Sequence, residues 1–354
     1  MALAASAGLE ACFMATGGAV FDAKSTCEPH DMRAVVYRRF GAADVLELTR
    51  RPKPVPRPDE VLIRIFATTV TTADWRARSL NVPRGFGPLA RLVFGITKPR
   101  YPVLGNELAG EVEATGGAVK RFKPGDQVVG YTGVRFGCHA EYRCMPENGA
   151  LVLKPANLSF EEAAALSFGG VTALLFLRRA KIKQGGQVLV NGASGAVGSA
   201  AVQLAKHFGA TVTAVCSTPH VERVKALGAD EVIDYTREDF TASGKTWDII
   251  VDTAGTARFP RVRRSLNEGG RLLAILGALP DMLSSPWVRL TTSKQIIAGT
   301  FPFGAEELQF VARLAASGEF KPLIGKRFSF AQIADAHREV DTGHKLGTVS
   351  VSVP

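Results

Sequence analysis

Val188-Leu-Val-Asn-Gly192-Ala-Ser-Gly195-Ala-Val-Gly198 sets three glycines between a short apolar run and a segment whose apolar positions Val197, Ala201, Leu204 and Phe208 recur at helical spacing. The next apolar run, Thr211 to Val215, completes a strand, turn, helix, strand unit of roughly 30 residues, the setting that a dinucleotide site requires. The chemistry follows from the missing side chains. At Gly192, Gly195 and Gly198 the chain can turn tightly, bring its N–H groups onto a pyrophosphate and aim the positive end of the helix dipole at it. The bland alternative is a glycine turn that only packs helix on sheet.

At the end of the second strand, where an acidic residue would grip the adenosine ribose hydroxyls of NAD, the chain reads Cys216-Ser217-Thr218. Two hydroxyls and no carboxylate, followed by His220, Arg223 and Lys225, favour the 2′-phosphate of NADP. Arg223 and Lys225 fit a solvated helix face equally well. Further along, Glu231 to Ile233, Trp247 to Val251, Arg271 to Leu276 and Gln295 to Ala298 read as strands separated by helix-length segments. That rhythm predicts a doubly wound parallel sheet over residues 158–319.

Upstream, from Arg33 to about Pro155, short β-like runs are broken by Pro and Gly, with Val61, Ile63 and Ile65 alternating with Leu62, Arg64 and Phe66. This is a β-rich module over 32–157. The segment 320–354, where Val349, Val351 and Val353 alternate, is expected to rejoin it. Residues 1–31, rich in Ala and Gly and lacking Arg, fit neither a signal peptide nor a typical mitochondrial presequence and read as a disordered tail.

A chain of 354 residues carries a prior of two domains, and 46% hydrophobic with 21% charged residues is a globular composition. No uncharged apolar run reaches the roughly 18 residues of a membrane span, which predicts a soluble chain without integral membrane association. Five cysteines without a C-x-x-C pair indicate neither a disulfide framework nor a zinc ribbon, and point to a reducing, cytoplasmic setting. Residues 1–31 hold one lysine and four acids, so the remainder carries 42 basic and 29 acidic groups, a balance of +13. The basic residues are scattered and no nucleic-acid motif accompanies them, so no nucleic-acid partner is expected. Segment 76–100 gathers Arg76, Arg78, Arg84, Arg91, Lys98 and Arg100 among Phe86, Leu89, Leu92, Val93, Phe94 and Ile96. It suits a cover over an apolar substrate, a membrane contact, or an ordinary helix-and-loop excursion.

Tyr101-Pro-Val-Leu-Gly-Asn-Glu-Leu-Ala-Gly110, Arg121-Phe-Lys-Pro-Gly-Asp-Gln-Val128, the glycine turn with Gln203 and Lys206, and Leu227-Gly-Ala-Asp-Glu-Val-Ile-Asp-Tyr235 together resemble the medium-chain dehydrogenase/reductase superfamily. Within it the chain is similar to the zinc-free quinone oxidoreductase, or zeta-crystallin-like, branch. The resemblance spans Met32 to Pro354 and implies a GroES-like catalytic domain built from both ends of the chain, an inserted Rossmann domain, NADPH in the cleft and a homodimer. It also implies that Ala196 and Val197 touch the pyrophosphate and that Ser217, His220 and Tyr235 surround the 2′-phosphate, while Thr253, Leu276 and Gly277 line the route to the nicotinamide. Related reductases often carry Lys at the place of His220.

Zinc alcohol dehydrogenases share this fold, but their Gly-His-Glu motif appears here as Gly105-Asn106-Glu107, and Thr71 stands near the place of their first catalytic Cys. No metal is therefore expected. Cys138, His139 and Cys144 are a conceivable ligand set, against the plainer reading of a buried thiol and a satisfied histidine. Thr71, in Val70-Thr-Thr-Ala-Asp74 where the family usually has Asn, is the candidate donor to a substrate oxygen, or else a hydroxyl bonded to its own backbone. The implied activity is hydride transfer from NADPH to a quinone or an α,β-unsaturated carbonyl. Non-catalytic NADPH binding and alcohol dehydrogenase-like activity are the alternatives.

Overall fold

A computed structural model describes residues 31–354. The expected disordered tail lies outside the described residues except for Asp31, which opens the first strand. Strands β1 (Asp31–Tyr37) and β2 (Leu46–Pro52) pair antiparallel. Strands β3 (Glu60–Val70), β4 (Glu107–Thr115), β5 (Gln127–Tyr131), β6 (Tyr142–Pro146) and β7 (Ala150–Leu153) build a second, larger sheet. In β3 the alternating Val61, Ile63 and Ile65 are fully buried in one apolar cluster, as the period of two demands.

Six strands form a separate parallel sheet: β8 (Gln187–Asn191), β9 (Thr211–Cys216), β10 (Glu231–Asp234), β11 (Trp247–Asp252), β12 (Leu266–Ala274) and β13 (Gln295–Ala298). Their order is β10-β9-β8-β11-β12-β13. The two faces sort the side chains: Val188 and Val190 enter the largest core cluster, while Leu189 between them packs with Phe240 and Trp247 on the other side. β12 starts before the expected Arg271 because Trp247 pairs with Leu266 and Ile249 with Arg271, leaving an irregular stretch that Gly269, at φ +73°, can turn through.

The C-terminal strands β14 (Ile324–Ser329) and β15 (Thr348–Ser352) return to the larger sheet, which runs β14-β15-β3-β4-β5-β7 with β6 also on β3. Val349 pairs with Val70 across the β15–β3 junction. The helical run Phe160–Arg179 is long and apolar enough to cross a membrane by length and composition, yet 72% of its apolar window is buried inside this fold. It makes one π-turn, Ser167–Val171, which lets Gly169 approach the start of the Ala196–His207 helix: a Cβ there would lie 2.7 Å from the Ala196 carbonyl oxygen.

Candidate active site

Strand order reverses between β8 and β11, so the chain leaves these neighbours toward opposite faces and opens a crevice at their carboxyl ends. Polar bonds hold that crevice. The Asn191 side-chain amide donates to Asp252 Oδ1 and to the Thr256 hydroxyl, both at 2.8 Å. Asp252 in turn accepts backbone N–H bonds from Ala254, Gly255 and Ala257. The Thr253 hydroxyl reaches the carbonyls of Asn191 and Gly192 at 2.9 and 3.0 Å.

Between β8 and the Ala196–His207 helix, each glycine has a distinct job. Gly192 turns at φ +81°. A Cβ at Gly198 would stand 2.1 Å from the Gly192 carbonyl oxygen, so this glycine serves close packing and does not line the cleft. Gly195 has ordinary geometry and open space, its nearest neighbour being the Gly192 oxygen at 3.6 Å. It caps the helix with no side-chain bond to the first turn, leaving N–H groups for an anion. This cradle fits a dinucleotide pyrophosphate. From the other sheet, the Gly347 N–H bonds the Ser194 carbonyl at 2.7 Å.

A cleft of about 1550 Å³ runs from this turn into the space between the sheets. Gly192, Gly195, Ala196, Val197 and Thr253 line its middle, with Leu276 and Gly277 also on its wall. Ser217, His220 and Tyr235 lie on the wall too. Thr218 and Arg223 do not. The Thr218 hydroxyl is spent on Asp234 Oδ2 at 2.5 Å, a carboxylate that β10 delivers beside β9, and this bond leads the causes that hold the Asp234 carboxyl below the usual range. Arg223 points from the short Val221–Lys225 helix into solvent, as the alternative reading of it had it.

At the far end, Thr71 is on the cleft wall but caps helix α1 (Thr72–Ser79). Its hydroxyl donates to Asp74 Oδ2 at 2.7 Å and accepts from the Asp74 N–H. That capping box corrects the expected substrate donor: the proton of Thr71 is committed to Asp74. Three groups that the sequence did not single out stand nearby. Glu107 is buried, with Thr69 donating to its Oε2 and the Phe168 N–H to its Oε1 at 2.5 Å. Burial outweighs these bonds and pushes its carboxyl up to about 7. Lys345 donates to the Gly347 carbonyl at 2.5 Å, and burial lowers its ammonium to about 8 against the opposing pull of Glu107. Tyr131 stacks on Phe303 at 4.3 Å between ring centroids, and burial raises its phenol.

The conceivable metal ligands are otherwise engaged. Cys138 contacts the Thr132 hydroxyl at 3.6 Å, and burial pushes its thiol up to about 12. His139 Nε2 meets the Thr69 carbonyl at 3.0 Å. Among the described residues, no three His, Cys, Asp or Glu side chains converge to hold an ion.

Residues 57–156 match the alcohol dehydrogenase GroES-like domain, and residues 227–349 match the family described as zinc-binding dehydrogenase. The chain is 34% identical over 334 residues to a chloroplast envelope quinone oxidoreductase homolog of Arabidopsis thaliana, covering 90% of this chain and 98% of that one. The chain belongs to the quinone oxidoreductase branch of the medium-chain dehydrogenase/reductase superfamily. Another relative of this quinone oxidoreductase-branch chain, the chloroplastic NADPH-dependent alkenal/one oxidoreductase of Arabidopsis thaliana, is 33% identical over 91% of this chain and 80% of its own. The solved quinone oxidoreductase of Coxiella burnetii superposes with a TM-score of 0.81 at 29% identity, covering 92% of this chain and 100% of that one.

Proposed function

We propose that this protein is a zinc-independent reductase that transfers hydride from NADPH to a quinone or an α,β-unsaturated carbonyl. The observation that carries the reading is a pyrophosphate cradle opening directly into an apolar cleft in which no metal-binding cluster forms among the described residues. Relatives named for NADPH-dependent alkenal/one and quinone reduction support it. When bound, NADPH supplies the hydride from its nicotinamide ring. The protein's own part is to hold and orient. The first-turn N–H groups after Gly195 take the pyrophosphate, and Ser217, His220 and Tyr235 take the 2′-phosphate. Trp75, Phe86, Phe94 and Phe303 exclude water around a flat acceptor. Lys345 and Tyr131, both on the cleft wall, donate to the acceptor oxygen as it gains charge, and Lys345 carries a transferable proton near neutral pH.

We assign residues 32–157 and 320–354 to the catalytic domain and 158–319 to the cofactor domain, on sheet membership. A homodimer belongs with this reading, and sedimentation analysis tests it. So does a cytoplasmic setting, although relatives carry chloroplastic or mitochondrial in their names; fractionation of cells expressing the full chain tests that. The deciding experiment follows NADPH absorbance with a panel of quinones, enones and simple alcohols. NADPH loss with a quinone or an enone is expected, with very slow oxidation of alcohols by NADP. Efficient alcohol oxidation with quinones and enones untouched would overturn the assignment, and tight NADPH binding without turnover of any acceptor would support the non-catalytic alternative.

A further inference from the structure

We propose that the outer face of helix α2 (Gly87–Phe94) and the turn after it dock on an anionic lipid surface, so that acceptors dissolved in a bilayer reach the cleft from that side. Only the nature of the acceptors rests on the reductase reading; the docking does not.

No carboxylate occurs between Trp75 and Glu107, while six basic residues do. Two of the six are used inside the fold. Arg78 is buried against Asp341, and Arg76 lies on the cleft wall. The other four, Arg84, Arg91, Lys98 and Arg100, are exposed, and among the described residues none meets a carboxylate at ion-pair distance. Set among these charges are Leu92 and Ile96, 60% and 66% exposed, with Leu89 at the cleft rim, 52% exposed. Single surface leucines need no explanation, but three large aliphatic side chains within eight residues, in a segment whose only charges are cationic, do.

The feature is rigid. A Cβ at Gly95 would lie 2.0 Å from the Lys98 carbonyl oxygen, Arg91 donates to the Ile96 carbonyl at 3.0 Å, and the Arg100 N–H bonds the Phe94 carbonyl at 2.7 Å. The turn is thereby folded back on the helix, and Ile96 is held out from it. The inner face of the same helix, through Ala90, Val93 and Phe94, lines the cleft. One wall thus separates the site from whatever lies outside.

Charge chooses the occupant. Exposed aliphatics within a cationic ring match a bilayer interface, where lysine and arginine meet anionic headgroups and leucine or isoleucine reaches the acyl boundary. A second copy presenting the same face across a two-fold axis would set four uncompensated cations against four more. Nucleic acid would leave Leu92 and Ile96 without an apolar partner.

The test is co-sedimentation of the full chain with vesicles of phosphatidylcholine alone and of phosphatidylcholine mixed with phosphatidylglycerol. Binding to the mixed vesicles, released by high salt and at least tenfold weaker on phosphatidylcholine alone, is expected, roughly the effect of losing two cationic contacts. The double variants Arg91→Glu/Lys98→Glu and Leu92→Ser/Ile96→Ser should each lower vesicle binding about tenfold while leaving NADPH oxidation by a water-soluble benzoquinone unchanged. Absence of binding to the mixed vesicles, or equal binding by wild type and both variants, overturns the docking. A change in sedimentation coefficient of the variants without vesicles would assign the face to a second copy and also overturn it. If vesicle binding holds but no acceptor is reduced, it is the reductase reading that fails.

Discussion

Glu107→Gln isolates the cost of placing a carboxyl beneath the cleft. Glu107 is 1% exposed, and burial raises its carboxyl from 4.5 to about 7 in the folded protein. A folded value above the unfolded one means that the native state keeps its proton longer. The stability this contributes is therefore complete below about pH 4.5 and is lost as pH rises through about 7. The full loss is about 3 kcal/mol, and between about pH 5 and 7.5 it is roughly 2 kcal/mol. Glutamine has the same shape: its carbonyl can accept from the Phe168 N–H, and its amide can donate to a reoriented Thr69 hydroxyl, so both bonds survive. Urea unfolding followed by tryptophan fluorescence should show the variant gaining on wild type by roughly 2 kcal/mol from about pH 5 to 7.5. Lys345 acts in the opposite sense. Its ammonium is lowered from 10.5 to about 8, so its contribution is present above the unfolded value and lost as pH falls through about 8. Wild-type stability should then dip between about pH 7 and 8, where both groups are charged. Parallel pH profiles for wild type and Glu107→Gln would refute the argument.

The two glycines at the helix start should separate packing from binding. Gly198→Ala forces a Cβ onto the Gly192 carbonyl and should destabilise by about 3 kcal/mol in thermal unfolding, whereas Gly195→Val should keep the fold and weaken NADPH at least tenfold by calorimetry. Ser217→Asp should reverse or erase a preference for NADPH over NADH by repelling the 2′-phosphate; equal wild-type affinity for both cofactors would remove the basis of that reading. His337 is fully buried, both ring nitrogens lack partners among the described residues, and burial drives its imidazole well below 6.5. Such a group gives stability above about pH 6.5 that is lost as pH falls, so His337→Leu should gain on wild type as pH falls below about 6.5 in the same urea assay.

The glycine turn was legible because its geometry tolerates few other residues: Gly192 needs positive φ and Gly198 has no room for a Cβ. The parallel strands were legible because both of their faces are covered, which makes them short apolar runs; β13 begins and ends where the sequence places it. The engagement of Thr71 has a local signal, because Thr71-x-x-Asp74 is the spacing of a helix N-cap. The engagement of Thr218 has no such local signal. Its partner Asp234 lies 16 residues downstream and meets it only because β10 pairs with β9. Glu107, Tyr131 and Lys345 come from three distant segments, and no local pattern marks a carboxyl, a phenol and an ammonium that share one cleft only after folding.

Gly347 explains how Lys345 comes to be there. At φ +51° its absent Cβ leaves space that the Leu323 carbonyl fills, 2.0 Å from where a side chain would start, and the Thr348 N–H bonds that same carbonyl at 2.7 Å. These contacts seat β15 beside β14 and fix the approach of the preceding residues. The Gly347 N–H then reaches the Ser194 carbonyl, inside the glycine turn of the other sheet. One residue therefore ties the C-terminal strands to the pyrophosphate cradle, and Lys345, two positions earlier, is held at the seam by its bond to the Gly347 carbonyl. The cation is placed by backbone packing, so its position depends on the glycine at 347 as much as on the lysine at 345.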